Sequence, residues 1–125
     1  MKKCKILIGE DEIIIAYNLK NALEIAGFNV CDIGMESSII LRMVEMHHPD
    51  LVILDINLAG SISGIEVARV LKNKLNIPFV LMSGYSDLLT KEVIEELQPL
   101  CALSKPIDYA KLIQCVEENA GEKNR

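Results

Sequence analysis

Asp50-Leu51-Val52-Ile53-Leu54-Asp55 decides the fold of this chain. Pro49 and Asp50 break whatever precedes them. Four apolar residues then follow without a polar interruption, which is the pattern of a strand buried on both faces in the middle of a parallel sheet. The run stops on Asp55. In open α/β sheets the carboxyl ends of the strands are where ligands bind, near the point where strand order reverses. Asp55 is therefore either the opening residue of a turn or a carboxylate placed for chemistry. Asn57 and a Gly/Ser-rich loop from Ala59 to Gly64 come next.

The rest of the chain alternates around that strand. Cys4 to Gly9 reads as strand one, followed at once by Glu10-Asp11-Glu12. Ile13 to Ala26 has helical periodicity, with Ile15, Leu19, Ala22, Leu23 and Ala26 on a common side, Asp11 or Glu12 in its first turn and Gly27 ending it. Phe28 to Ile33 is strand two, placed nearer an edge by Asn29. Glu36 to His47 is a second helix with Ile39, Ile40, Met43 and Val44 inward. Its closing histidines, His47 and His48, are expected at the surface. Ser63 three residues before Glu66 forms a capping box and starts a third helix, Gly64 to Leu75, with Ile65, Ala68 and Leu71 buried. Phe79 to Met82 is strand four, ending at Ser83. A fourth helix runs from about Leu88 to Leu97 and stops near Pro99. Leu100 to Leu103 is strand five, ending at Ser104-Lys105-Pro106. Asp108 begins a fifth helix, Tyr109 to Asn119, and a polar tail closes the chain. Strand and helix in alternation predict a parallel sheet with helices on both faces.

Composition bounds the function. The 125 residues suit a single domain, with a core from about residue 3 to 119 and a tail from 120 to 125, and half of them are apolar. The net charge of -5, without a basic tract, argues against direct nucleic-acid binding. No apolar run approaches the roughly 20 residues of a membrane span, and the short apolar stretch after Lys3 does not make a signal peptide. Cys4, Cys31, Cys101 and Cys115 are scattered, with no C-x-x-C pair, as expected of reduced thiols in a cytoplasmic protein. Met1 favours a natural start.

Four strands end in polar groups of different kinds. Glu10 and Asp11 follow strand one, Asp55 ends strand three, Ser83 ends strand four and Lys105 follows strand five. Each has an ordinary reading, as a helix start, a turn or a solvated lysine. In a doubly wound sheet, however, all lie on one rim. Carboxylates crowded together stay ionised when a cation sits among them, and all-oxygen ligands suit magnesium. A lysine and a hydroxyl suit the remaining oxygens of a phosphoryl group. Together they point to phosphoryl transfer onto a carboxylate. A flavodoxin would need a phosphate-cradling loop where Glu10-Asp11-Glu12 stands, and neither G-x-G-x-x-G nor a P-loop is present.

Ile-Leu-Ile-Gly-Glu10-Asp11-Glu12, Leu-Val-Ile-Leu-Asp55, Gly64-Ile65-Glu66, Met82-Ser83-Gly84 and Ser104-Lys105-Pro106-Ile107 together resemble the receiver domains of two-component response regulators, from about Lys3 to Asn119. The resemblance implies a (βα)5 fold with the flavodoxin-like strand order 2-1-3-4-5. It implies Asp55 as phosphoacceptor; Glu10, Asp11, Asp55 and the backbone carbonyl of Asn57 as ligands for Mg2+ (or Mn2+); Ser83 as switch hydroxyl; Lys105 as partner of Asp55 or its phosphate; and a cis Lys105-Pro106 bond. It implies a histidine kinase or histidine phosphotransfer protein upstream, and downstream docking on the face made by helix four, strand five and helix five, with Leu97, Leu100 and Tyr109 as candidate contacts. Any enzymatic activity is limited to self-catalysed aspartyl phosphorylation and dephosphorylation.

Some positions depart from the family pattern. Ala102 and Leu103 stand where an aromatic residue often swings inward. Tyr85 is a candidate rim residue over the site. Ala59 replaces a common proline, and the loop to Gly64 is longer and richer in Gly and Ser than usual, which allows a different mobility. The alternatives are a receiver-like interaction module that works without phosphorylation, and a receiver cut from a larger sensor kinase or regulator.

Overall fold

The computed structural model describes residues 4–84 and 89–123, with 120–123 as backbone only. Tyr85 and the expected start of the fourth helix at Leu88 lie outside the described residues. Five parallel strands, β1 (Lys5–Gly9), β2 (Asn29–Gly34), β3 (Leu51–Asp55), β4 (Phe79–Ser83) and β5 (Ala102–Ser104), pair in the order β2-β1-β3-β4-β5. The helices are α1 (Ile13–Ile25), α2 (Ser37–His47), α3 (Gly64–Val70), α4 (Lys91–Leu97) and α5 (Tyr109–Lys123). This is the doubly wound order 2-1-3-4-5 that the motifs imply. β2, with its polar Asn29, is an edge strand.

The alternation of side chains along β3 builds the core. Leu51 and Ile53 point into a cluster completed by Ile6, Ile8, Val80 and Met82 of the sheet, Leu19 and Leu23 of α1, and Leu112 and Val116 of α5. Val52 and Leu54 point the other way, against Ile40 and Val44 of α2, Val67 and Ala68 of α3, Leu71, and Leu97 of α4. Every residue of β3 is buried. Burying both faces of one strand removes water from all of its apolar side chains, and each is worth roughly 1.5–3 kcal/mol. It also leaves Asp55, at the strand's end, in the same dry layer.

The helices differ from expectation in detail. α1 buries Ala16, Leu19 and Leu23 and leaves Ile13 and Ile14 exposed. Neither Asp11 nor Glu12 lies in its first turn; Glu12 is the residue immediately before it. In α2, Ile40 and Val44 are inward, whereas Ile39 is exposed. Ser63 Oγ accepts from Glu66 N at 3.2 Å, but the Glu66 carboxylate turns to Arg69 and does not complete a capping box. α3 buries Val67 and Ala68, then widens into one π-helical turn, Leu71–Leu75, that ends on left-handed Asn76 (φ 57°). α4 is capped by Thr90, whose Oγ1 accepts from Val93 N, and ends on left-handed Gln98 (φ 49°), one residue before Pro99. β5 lies two residues later at its start than the apolar run Leu100–Leu103 suggested, and α5 runs four residues beyond Asn119, to Lys123.

His47 is not a plain surface residue. Its Nε2 lies 3.0 Å from Asp32 Oδ2, and its carbonyl accepts from Lys5 Nζ at 2.7 Å. All four cysteines are free thiols; Cys4 is buried and the other three are half-buried. The loop after β3 is strapped to the start of α2. Ser37 N donates to Ala59 O at 3.0 Å, and buried Ser37 Oγ accepts from Ile62 N at 3.3 Å. Gly60 (φ 131°) passes so close to Ser37 that no side chain fits there.

Candidate metal and phosphoacceptor site

The parallel register places the polar strand ends on one rim. Gly9 pairs with Leu54 and Asp55 with Met82, so Glu10, Asp55 and Ser83 are successive neighbours across the sheet. Ser83 pairs with Ser104, and Lys105 N donates to Ser83 O at 2.8 Å, which brings the lysine alongside. Glu10, Asp55 and Ser83 are buried to within about 1% of full coverage, an arrangement that burial alone opposes. The Lys105-Pro106 peptide is cis.

Asp55 is held at both oxygens. Oδ1 accepts from Asn57 N at 2.8 Å and Oδ2 from Lys105 Nζ at 2.8 Å. Glu10 is held at one: Oε1 accepts from Glu12 N at 2.9 Å. Glu10 Oε2 lies 2.9 Å from Lys105 Nζ, but the geometry lacks the alignment of a hydrogen bond, so this buried oxygen has an ion-pair contact and no directed donor. Burial, only partly offset by Lys105 and the Glu12 amide, pushes the Glu10 carboxyl up to about 7. Burial works against the Lys105 ammonium, but its hydrogen bond to Asp55 and its contact with Glu10 outweigh that and hold its pKa above the usual lysine range.

Ligand oxygens of Glu10, Asp11 and Asp55 lie within 4.8 Å of one another, with Asp11 exposed. A divalent cation fits this set: the donors are all oxygens, as magnesium prefers, and Glu10 Oε2 is a buried acceptor without a directed donor. The structure therefore brings together Glu10, Asp11, Asp55 and Lys105, with Ser83 at the adjoining strand end.

Residues 6–117 match the family described as "Response regulator receiver domain". The chain belongs to that family. This receiver is 27% identical over 113 residues to the transcriptional regulatory protein PdtaR of Mycobacterium tuberculosis, covering 90% of this chain and 55% of the relative. It is 26% identical over 122 residues to the polar-differentiation response regulator DivK of Brucella ovis, covering 94% and 96%. The receiver thus spans about half the length of PdtaR and nearly all of DivK. Among solved structures, the signal receiver domain of a modulated diguanylate cyclase from Desulfovibrio desulfuricans superposes with a TM-score of 0.87 at 26% identity, covering 98% of both chains. A receiver domain protein from Clostridium thermocellum gives 0.83 at 26%, covering 97% of both.

Two contacts of the receiver site were not read from the sequence. Asn57 Oδ1 accepts from Gly84 N at 3.3 Å, tying the loop after β3 to the loop after β4. Glu12 Oε2 lies 3.3 Å from Lys105 Nζ. The Asn57 side chain had no signal, because only its carbonyl had a family role. Glu12 did have one: it is the third acid in a row, two residues past Glu10.

Proposed function

We propose that this receiver accepts a phosphoryl group on Asp55 from a partner phosphohistidine, with Mg2+ (or Mn2+) held by Glu10, Asp11, Asp55 and the carbonyl of Asn57. The observation that carries the reading is one buried carboxylate at the end of the central strand, bonded by Lys105 at 2.8 Å, with two further acids beside it. Asp55 Oδ2 attacks phosphorus, a P–O bond forms, the P–N bond breaks, and the electron pair leaves with the partner's imidazole. The cation, when bound, offsets the charge on the phosphoryl oxygens. Lys105 moves from Asp55 Oδ2 to a phosphoryl oxygen, and the Ser83 hydroxyl donates to another. Asn57 N keeps Oδ1 in place throughout.

The partner upstream is a histidine kinase or histidine phosphotransfer protein, met in the cytoplasm. No described helix is long and apolar enough to cross a membrane. Downstream docking belongs to the face formed by α4, β5 and α5. Leu97 offers no contact on that face, because it is 1% exposed in the core; Leu100 and Tyr109 are half-buried against the other cluster. With Ala102 in β5, no ring at that position couples to Ser83; the backbone bond from Lys105 N to Ser83 O is a direct link between the two strands.

Intact-protein mass after treatment with a small acyl-phosphate donor tests the reading, with magnesium and with chelator, for the parent and Asp55→Asn. A single magnesium-dependent phosphate adduct, absent from the variant, is the expected result. An adduct of equal yield in Asp55→Asn refutes Asp55 as acceptor. No adduct in the parent favours an interaction module that works without phosphorylation.

A further inference from the structure

Lys105 has three N–H donors and three acids around it. Asp55 Oδ2 is at 2.8 Å, Glu10 Oε2 at 2.9 Å and Glu12 Oε2 at 3.3 Å. The first two side chains are buried, at 2% and 0% exposure, and are fixed by backbone donors. The Glu12 side chain is 61% exposed and closes the ammonium from the solvent side. Its reach is set by its own backbone, because Glu12 N is bound to Glu10 Oε1 at 2.9 Å. The residue thus touches the site twice, once through its amide and once through its carboxylate.

A phosphoryl group arriving at Asp55 comes from solvent and needs a donor from Lys105. Of the three acids, only Glu12 can give up the ammonium cheaply, by turning into water. It also places a negative charge beside the path of an anionic donor, and like charges at this range repel.

We propose that Glu12 is a positioning residue that clasps Lys105 on the open side of the site and thereby slows phosphoryl transfer to Asp55. This rests on the reading of Asp55 as acceptor. The clasp holds Lys105 toward the acids while no phosphoryl group is present. It gives way when a phosphoryl oxygen takes its place, and its charge raises the barrier for small anionic donors. The same charge favours a divalent cation. Its removal therefore has opposite effects on two steps: weaker magnesium binding and faster phosphorylation once magnesium is saturating. Loss of packing alone would slow or weaken both.

Glu12→Gln keeps the length of the side chain and removes its charge. Two readouts are taken beside the parent, with thermal unfolding to establish that the variant is folded. The first is the rate at which an amine-acylating reagent modifies Lys105 in metal-free protein, followed by peptide mass. The second is the rate of phosphate uptake from a small acyl-phosphate donor at saturating magnesium, in low and in about 0.5 M salt. The clasp predicts Lys105 modification about threefold faster and phosphate uptake about threefold faster at low salt, the second difference shrinking at high salt. Equal Lys105 modification in both proteins overturns the clasp. Faster modification with equal or slower phosphate uptake overturns the brake. A parent that takes up no phosphate overturns the acceptor reading and the brake with it, and the modification rates then judge the Lys105 contact by itself.

Discussion

Replacing Gly64 with alanine drives a methyl group into the backbone that carries Asp55. Gly64 is the first residue of α3 and is buried. A Cβ there would lie 2.5 Å from Ile56 Cα, 2.6 Å from Asp55 O and 2.8 Å from Ile56 C. Ordinary contact begins near 3.4 Å, so the nearest atom has to retreat by about 0.9 Å. None of the three can do so by changing rotamer, since all are main chain. Either α3 moves off the sheet or the turn after β3 moves. Overpacking costs about 1–3 kcal/mol, and contacts with rigid backbone belong at the upper end. Alanine returns about 0.5–1 kcal/mol through the loss of glycine's freedom in the unfolded chain. The net expectation is a loss of about 2 kcal/mol. Urea unfolding measures it, with a midpoint lowered by about 1 M at a slope of about 2 kcal/mol/M. Gly84→Ala is the control: among the described residues its Cβ would meet nothing nearer than Lys105 Cδ at 3.9 Å, and its stability should stay within about 0.5 kcal/mol of the parent. A Gly64→Ala midpoint equal to or above the parent's refutes the close-approach argument.

Other perturbations have equally definite expectations. Burial pushes the Glu10 carboxyl up from 4.5 to about 7, so the folded chain binds the proton more tightly than the unfolded one between those values. Metal-free stability should therefore fall as pH rises from about 4.5 to 7, by no more than about 3 kcal/mol. The raised Lys105 pKa contributes stability that is lost only at alkaline pH, above this window. Urea midpoints across the range in chelator check the sign, and a midpoint climbing from pH 5 to 7.5 would contradict it. Ser63→Ala and Thr90→Ala each remove a helix-capping acceptor and should cost about 1 kcal/mol by the same measurement. Ile53→Ala empties a fully buried position on β3 and should cost about 2–5 kcal/mol, with no change in the slope if the fold is kept.

The sheet was legible because its central strand has no polar interruption. A strand that is buried on both faces leaves that pattern whatever its neighbours do, and Leu51 to Leu54 kept it. The rim was legible because the strand ends differ in chemistry: three acids, a hydroxyl and an amine do not collect at one edge for packing. Helix faces were less so. α1 opens on Ile13, Ile14, Ile15, Ala16 and Tyr17, apolar in nearly every direction, and periodicity could not tell that Ala16 faces inward while Ile14 faces solvent. The wider turn at Leu71–Leu75 has ordinary helix-forming residues, so nothing local announces it. β5 was displaced because Leu100 and Cys101 pack on the core and make single ladder bonds, from Leu100 N to Phe79 O and from Leu81 N to Cys101 O, before the strand proper begins. Apolar sequence marks burial, and pairing follows it at a distance of a residue or two. Glu12 and the Asn57 side chain were missed for another reason: their partners, Lys105 and Gly84, lie far away in sequence and are brought near only by the pairing of the sheet.

The hydrogen bond from Lys105 N to Ser83 O has a consequence for how such a chain can diversify. Two residues 22 positions apart in sequence are locked together by one rung between β4 and β5. The spacing of amine and hydroxyl is then set by strand pairing and not by the chain that connects them. α4, between them, presents a largely exposed surface of Lys91, Glu92, Ile94, Glu95 and Glu96. If the proposed docking face includes α4, substitutions there would change which protein is met outside without disturbing the two groups inside. On that proposal, chemistry and address occupy the same stretch of polypeptide and are free to vary independently.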